Sequence, residues 1–135
     1  HYDSAMEELL DNTNLVMLDL KQIDPEIHKV LVGIPNTKVL HFARYLAERG
    51  QPTRIRYVVV PGYTDDDRSA HLLGEFIADM PNADTVELLP YQELGAHKWE
   101  LCGDEYKLKG VSPPPKETML RIKEIIESYG KQTIV

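Results

Sequence analysis

The sequence has very little cysteine and no long hydrophobic run, and both shortages exclude whole classes of protein. The 135 residues contain one cysteine, Cys102, which excludes an intramolecular disulfide and any metal site of the CxxC type. No stretch approaches the roughly 18 to 20 consecutive apolar residues that span a bilayer. We therefore expect no membrane partner, and this composition is compatible with a cytoplasmic protein.

Positive charge and glycine-rich loops are also scarce. The formal net charge is -7 at pH 7, so a uniformly basic face is not expected, and nucleic acid is not an expected partner. Neither GxGxxG nor GxxxxGK[ST] follows any predicted strand. Their absence removes the strongest sequence argument for an open sheet that binds a nucleotide.

What the sequence does contain is an alternation of predicted strands and helices, of a length that suits one compact domain. Strands are predicted at 15–21, 53–61 and 85–90, with a short one at 131–135. Helices are predicted at 3–11, from Asp24-Pro25 to Gly33, at 36–49, from Asp65–Asp67 to Met80, and at 116–129. The pattern indicates a mostly parallel sheet with outer helices, either doubly wound or part of a (β/α) barrel.

Each predicted strand has one apolar face and one face of mixed polarity, because side chains alternate along a strand. The mixed faces carry charged residues: Asp19, Lys21, Arg56 and Glu87. Burying unpaired charges is costly. These residues therefore either form a structural ion-pair cluster, such as Asp19–Arg56 or Lys21–Glu87, or line a polar ligand cavity. The carboxyl ends of parallel strands, where Asp19 and Lys21 lie, are the usual place for sites.

Blocks along nearly the whole chain resemble one enzyme family. They are NLVMLDLKQID, HKVLVG, RIRYVVVPGYTDD, VELLPYQELGAHKW and EYKLKGVSPPPKE. These blocks are similar to the C-terminal half of the pyruvate formate-lyase activating enzymes, which are radical S-adenosylmethionine enzymes of the glycyl-radical-activase family. The resemblance implies that residues 1–135 form the C-terminal half of a partial (β/α) barrel of the TIM-like radical SAM type.

The resemblance also implies an activity. A CxxxCxxC loop in this family binds a 4Fe–4S cluster that reductively cleaves S-adenosylmethionine. The resulting radical removes a hydrogen from a glycine of pyruvate formate-lyase, which activates that enzyme in anaerobic cells. The implied partners are therefore the glycine-radical loop of pyruvate formate-lyase and a flavodoxin-type reductant.

Carried over to this sequence, the family's cofactor site comes from three strands and the segments after them: Asp19, Leu20, Lys21, Arg56, Val58, Leu89 and Gln92. Lys21 and Arg56 would have catalytic roles, and Lys21 would also approach the substrate glycine loop. Asp19 and the backbone carbonyl of Met17 would hold a monovalent cation near the cofactor carboxylate.

The sequence departs from the family pattern in its cofactor machinery. Gln92 stands where the family has histidine, and glutamine cannot protonate as imidazole does. The CxxxCxxC loop and the glycine-rich GGE segment are absent. We expect that the chain is the C-terminal piece of a longer enzyme, without the cluster-binding half. Alone it would be inactive and would self-associate through its open strand edges.

Two other functions remain open from the residues alone. Lys21 could form a Schiff base in an aldolase-like barrel lyase, because desolvation in a barrel lowers the pKa of a lysine. Alternatively, the chain could have no catalytic role and could dock a partner protein through the predicted loop at 91–114.

Overall fold

The structure is a computed structural model that describes residues 3–92 and 110–135. The described helices are α1 (Ser4–Asp11), α2 (Pro25–Val32), α3 (Thr37–Glu48), α4 (Asp67–Ala78) and α5 (Lys116–Glu127). The described strands are β1 (Val16–Asp19), β2 (Thr53–Val59), β3 (Thr85–Pro90) and β4 (Gln132–Ile134). Their order is the one predicted from the sequence. Most of the predicted loop at 91–114, including Cys102, lies outside the described residues.

The ends of two helices confirm the predicted capping residues. Asp24 Oδ1 accepts hydrogen bonds from the backbone N–H groups of Glu26 at 2.9 Å and Ile27 at 3.1 Å, at the start of α2. Gly33 ends that helix with φ of 95°, a left-handed conformation that favours glycine. Asp66 caps α4 by accepting from the N–H of Ser69 at 3.0 Å. Over the part of the chain that the structure describes, no helix is long and apolar enough to cross a membrane.

The four strands form one parallel sheet in the order β1-β2-β3-β4. Each strand lies beside the next one along the chain, and right-handed crossovers then place every connection on the same side of the sheet. A doubly wound sheet would instead reverse its strand order and carry helices on both faces. The observed order is that of a barrel segment, which decides between the two predicted architectures.

The main core lies between one face of this sheet and the helices. Buried side chains from β1, β2 and β3 pack there with buried side chains from α1, α3, α4 and α5. The strand members are Leu18, Ile55, Tyr57, Val59, Val86 and Leu88. This is the apolar face that strand alternation predicts, and burying it contributes most of the hydrophobic stabilisation of the domain.

The opposite face of the sheet, here called the open face, is the mixed one. Met17 is 46% exposed there, and Arg56 is only partly buried. At the carboxyl end of the strands a smaller apolar cluster of Leu31, Val60 and Tyr91 contacts Val58 and Val111. The open face is therefore charged in the middle of the sheet and apolar toward and beyond the carboxyl ends of β2 and β3.

Strand β1 ends at Asp19, whereas the sequence predicts a strand that continues to Lys21. The N–H of Leu20 still donates to the carbonyl of Arg56 at 3.0 Å. The chain then leaves the sheet, because Gln22 is buried and hydrogen-bonded to the segment after β2. Lys21 therefore lies in the irregular segment between β1 and α2, and the alternation of β1 does not determine the direction of its side chain.

Candidate functional site

A row of three charged residues crosses the open face. In the sheet register, Asp19 of β1 lies opposite Arg56 of β2, and Arg56 lies opposite Glu87 of β3. All three therefore project from the same face of neighbouring strands. Asp19 is also the last residue of β1, whereas Arg56 and Glu87 lie in the middle of β2 and β3.

The charges in this row are close but are not hydrogen-bonded to one another. Arg56 Nη1 lies 3.9 Å from Asp19 Oδ1, and Arg56 Nε lies 3.9 Å from Glu87 Oε1. Arg54 Nη1 lies 3.9 Å from Glu87 Oε2. These distances exceed the range of a hydrogen bond. The predicted pair Asp19–Arg56 is present, whereas Lys21 makes no ion pair with any residue that the structure describes.

Ion pairs on other parts of the described chain are much tighter, with nitrogen–oxygen distances of 2.6 to 2.7 Å: Arg49–Asp11, Arg68–Asp24 and Arg121–Asp67. The Nε atom of Arg56, in contrast, is buried and has no hydrogen-bond partner. A buried donor without an acceptor is costly. The Arg56 side chain as a whole is 38% exposed, so its accessible guanidinium N–H groups can donate to an anionic oxygen of a ligand.

The remaining residues of the predicted site are spread along the same surface. Val58 and Leu89 are partners in the β2–β3 register, and both are partly buried. Gln92 is exposed, just after β3 ends at Pro90. Together with the charged row, these side chains form a surface that is ionic at Arg56 and apolar at Val58 and Leu89, a combination that suits a ligand with a charged end and a flat organic end.

Leu20 and Lys21 occupy different surroundings. The Leu20 side chain is 1% exposed and belongs to the core between sheet and helices, so only its backbone could face a ligand. Lys21 is exposed. That Leu20 and Lys21 both line the cofactor pocket stays a prediction.

Sequence reasoning missed Arg54 and Gln22. Arg54 has the same parity along β2 as Arg56, so the signal for it was present in the alternation. Gln22 gave no signal, since its partners are 41 and 47 residues away in the sequence. Among residues 3–92 and 110–135, no group of three or more His, Cys, Asp or Glu side chains is arranged to hold a metal ion.

Two titratable groups have shifted pKa values near the carboxyl edge. The hydrogen bond from Arg68, with those from the backbone of Ile27 and Glu26, lowers the pKa of Asp24, at the start of α2. Burial raises the pKa of Tyr57, whose hydroxyl donates to the carbonyl of Thr64 at 3.0 Å. Asp24 is therefore an anion and Tyr57 a neutral donor at neutral pH, and they fix the start of α2 and the segment after β2.

A singly wound parallel sheet with helices packed against one face defines a segment of a (β/α) barrel. The sequence model of the Radical SAM superfamily matches residues 1–73, which is more than half of the chain. The chain therefore belongs to the radical SAM superfamily.

The chain is also similar in sequence to individual curated proteins, which is more specific than the superfamily match. The chain is 59% identical over 133 residues to pyruvate formate-lyase 1-activating enzyme from Escherichia coli (strain K12), covering 98% of this chain and 54% of the relative. It is 44% identical over 130 residues to pyruvate formate-lyase-activating enzyme from Staphylococcus aureus (strain USA300), covering 96% and 52%. These matches confirm the resemblance seen in the sequence blocks. The chain spans about half the length of these relatives.

Solved structures confirm the partial-barrel fold. A crystal structure of a domain of pyruvate-formate lyase-activating enzyme from Bacteroides vulgatus is similar, with a TM-score of 0.79 and 25% identity, covering 98% of this chain and 73% of that one. A radical SAM methyltransferase from Sphaerobacter thermophilus has a TM-score of 0.72 at 19% identity, covering 97% and 36%. The second likeness supports the fold alone.

Proposed function

We propose that these 135 residues supply the C-terminal half of the barrel of a pyruvate formate-lyase activating enzyme. The observation that carries the proposal is the loosely paired row Asp19–Arg56–Glu87 on the open face, with a buried donor of Arg56 unused. The cofactors would be S-adenosylmethionine and a 4Fe–4S cluster whose ligands come from outside this chain. Pyruvate formate-lyase would be the substrate, and a flavodoxin-type protein the reductant, in the cytoplasm of anaerobic cells.

The residues of the open face fit the chemistry of S-adenosylmethionine, which carries a carboxylate, an ammonium, a sulfonium and a nucleoside. The Arg56 side chain is 38% exposed, so the accessible N–H groups of its guanidinium can donate to a carboxylate oxygen. Lys21 is exposed and follows Asp19 by two residues, and it would supply a second cation for the same group. Val58 and Leu89 offer the apolar surface that an adenosine needs, and Gln92 can exchange hydrogen bonds with its base.

Asp19 would have a separate role. Its carboxylate is 57% exposed and only 3.9 Å from Arg56, so it is free to contact a second cation. We propose that Asp19 and the backbone carbonyl of Met17 hold a monovalent cation, which would neutralise the cofactor carboxylate together with Arg56. Oxygen ligands of this kind suit hard cations.

When bound, the cofactor and cluster supply the electron and the hydrogen-abstracting group. The protein's own residues therefore need no acid–base pair. Arg56 and Lys21 orient the cofactor, and the apolar cluster of Leu31, Val60 and Tyr91 shields one end of the open face from water. Exclusion of water limits side reactions of the reactive group.

The alternatives have less support. A Schiff-base lyase requires a desolvated lysine, and Lys21 is exposed. A docking role for 91–114 concerns residues that mostly lie outside those the structure describes. Neither alternative uses the unpaired donor of Arg56.

The test is a chimera in which these 135 residues replace the matched segment of the Escherichia coli relative. The chimera should generate the glycyl radical of pyruvate formate-lyase, detected by electron paramagnetic resonance after anaerobic incubation with S-adenosylmethionine and a reductant. The unaltered relative is the positive control. A chimera that folds, holds its cluster and binds S-adenosylmethionine, yet yields no radical, contradicts the proposed activity.

A further inference from the structure

A buried glutamine directly follows Lys21. Gln22 is 1% exposed and belongs to the largest fully buried side chains of the domain. Glutamine is mostly found at the surface, and a buried amide must find partners for its donors and its acceptor. The surroundings of Gln22 therefore show why the fold keeps a polar group there.

The amide of Gln22 connects two neighbouring segments at the carboxyl edge of the sheet. Its Nε2 donates to the carbonyl of Tyr63 at 2.8 Å and to Ser69 Oγ at 3.0 Å. Its Oε1 accepts from the N–H of Asp24 at 3.1 Å. Both donors and the acceptor are thus used, and the turn after β1 is fixed to the segment between β2 and α4.

Further hydrogen bonds hold this connection from both sides. The hydroxyl of Ser69 donates to Asp66 Oδ1 at 2.7 Å, which fixes the orientation of its oxygen toward Gln22. Asn36, itself buried, donates from Nδ2 to the carbonyls of Gln22 at 3.0 Å and Ile23 at 2.8 Å. The backbone on the carboxyl side of Lys21 is therefore restrained by three other segments, through the side chains of Asn36 and Ser69 and the carbonyl of Tyr63.

The backbone on the amino side of Lys21 is restrained as well. Leu20 is buried in the core, and its N–H donates to the carbonyl of Arg56 at 3.0 Å. Lys21 is thus the exposed residue between two buried neighbours, Leu20 and Gln22. Its long side chain has many rotamers, but the position of its Cα relative to Arg56 is set by these two anchors.

We infer that Gln22 is a positioning residue, which holds Lys21 and Asp19 in register with Arg56 on the open face. This inference rests on the proposed function, which identifies the ligand as S-adenosylmethionine. The physical reason is geometric. Charged groups that share one ligand must keep their spacing, and displacements of about 1 Å can cost on the order of 100-fold in activity.

A purely structural role for Gln22 makes a different prediction from a positioning role, and a matched variant separates the two. Gln22→Met keeps the length of the side chain and removes all three hydrogen bonds. Lys131→Met is the control, because Lys131 is also buried and its Nζ donates to the carbonyl of Met80 at 2.8 Å. Lys131 lies just before β4, at the amino edge of the sheet and away from Lys21.

Both variants should lower the melting temperature of the 135-residue chain. In the chimera with the Escherichia coli relative, only Gln22→Met should weaken binding of S-adenosylmethionine, by about tenfold or more in dissociation constant. KM for the cofactor should rise in the same proportion, and Lys131→Met should change neither quantity. Unchanged affinity in Gln22→Met overturns the inference and leaves a structural role.

Amide hydrogen exchange supplies a readout that does not depend on cofactor. The N–H groups of Leu20 and Asp24 donate to the carbonyl of Arg56 and to Gln22 Oε1. Their exchange should be faster in Gln22→Met than in the unaltered chain and unchanged in Lys131→Met. Equal exchange in both variants overturns the positioning role. If the unaltered chimera binds no S-adenosylmethionine, the proposed function fails, while the exchange comparison still decides whether Gln22 fixes this turn.

Discussion

Replacing Arg56 distinguishes a ligand site from a structural ion-pair cluster. Arg56→Gln removes the positive charge and leaves a polar, uncharged side chain in its place. A well-formed buried ion pair costs about 3–5 kcal/mol when one partner is removed. Partly exposed pairs are worth only about 0–1 kcal/mol. The Arg56 side chain is 38% exposed and its carboxylate partners are 3.9 Å away, so the second case applies.

We therefore expect Arg56→Gln to change the free energy of unfolding of the chain by less than about 1 kcal/mol. The effect on cofactor binding should be much larger. A hydrogen bond to a charged group is worth about 1.5–3 kcal/mol. Since about 1.4 kcal/mol corresponds to a factor of ten, the affinity of the chimera for S-adenosylmethionine should fall roughly 10- to 150-fold.

Two measurements check this pair of expectations. Urea unfolding of the chain, followed by circular dichroism, gives the change in stability, and anaerobic equilibrium dialysis of the chimera gives the affinity. Arg49→Gln is the control, because Arg49 makes a tight 2.6 Å pair with Asp11, remote from the open face, and its loss should leave the affinity unchanged. A loss of stability near 3–5 kcal/mol in Arg56→Gln with unchanged affinity would show that the row is a structural cluster, and the reasoning would be refuted.

Four further predictions follow from other parts of the molecule. Alanine usually stabilises a helix by about 1 kcal/mol over glycine, but a β-carbon at Gly74 would overlap the ring of Tyr129. Since overpacking costs about 1–3 kcal/mol, Gly74→Ala should lower the melting temperature of the unaltered chain. In a double-mutant cycle, the same Gly74→Ala change should raise the melting temperature when it is made in Tyr129→Ala. The folded-state pKa of Asp24 is lowered from 3.8, so Asp24 stabilises the fold above that value. The difference in free energy of unfolding between the unaltered chain and Asp24→Asn should therefore vanish as the pH falls through the folded-state pKa of Asp24. Acid unfolding of both chains measures that difference. Anaerobic reconstitution of the chain alone should give no 4Fe–4S absorption band, since it has one cysteine and such clusters need several thiolates; a cluster spectrum contradicts this. The chain alone should also associate, because β1 and β4 are the edges of the described sheet and Leu15, Met17 and Ile134 are 46%, 46% and 41% exposed. Light scattering that shows a monomer at high concentration opposes this last prediction.

The fold and the two faces of its strands could be predicted because the controlling information is local. Alternation of side chains along a strand separates Leu18 from Asp19 and Ile55 from Arg56, and the structure confirms that separation. Asp24-Pro25 and Gly33 predicted the two ends of α2, because capping depends on the residues at the helix ends themselves. Strand alternation and helix-capping residues were therefore sufficient to predict the helices and strands and to separate the two faces of the sheet.

The rest of the site depends on contacts between distant residues. The sequence left two ion pairs open, Asp19–Arg56 and Lys21–Glu87, and only the strand register selects between them. The end of β1 was predicted too late, because Gln22 leaves the sheet to bond with Tyr63 and Ser69. No local pattern indicates that a glutamine after a strand is buried.

The two faces of the sheet differ in the kind of interaction that they hold, and this difference supports a ligand site. On the helix side, apolar residues such as Ile55 and Leu73 are fully buried, and that burial stabilises the domain whatever else is bound. On the open face, Arg56 and its carboxylates do not reach hydrogen-bonding distance, although tight pairs form elsewhere on the same molecule. A face that contributed mainly to stability would be expected to close those distances. Loose pairing instead leaves Arg56 and Asp19 able to exchange their protein partners for those of a zwitterionic ligand at little cost in stability, which is the property that a cofactor surface requires.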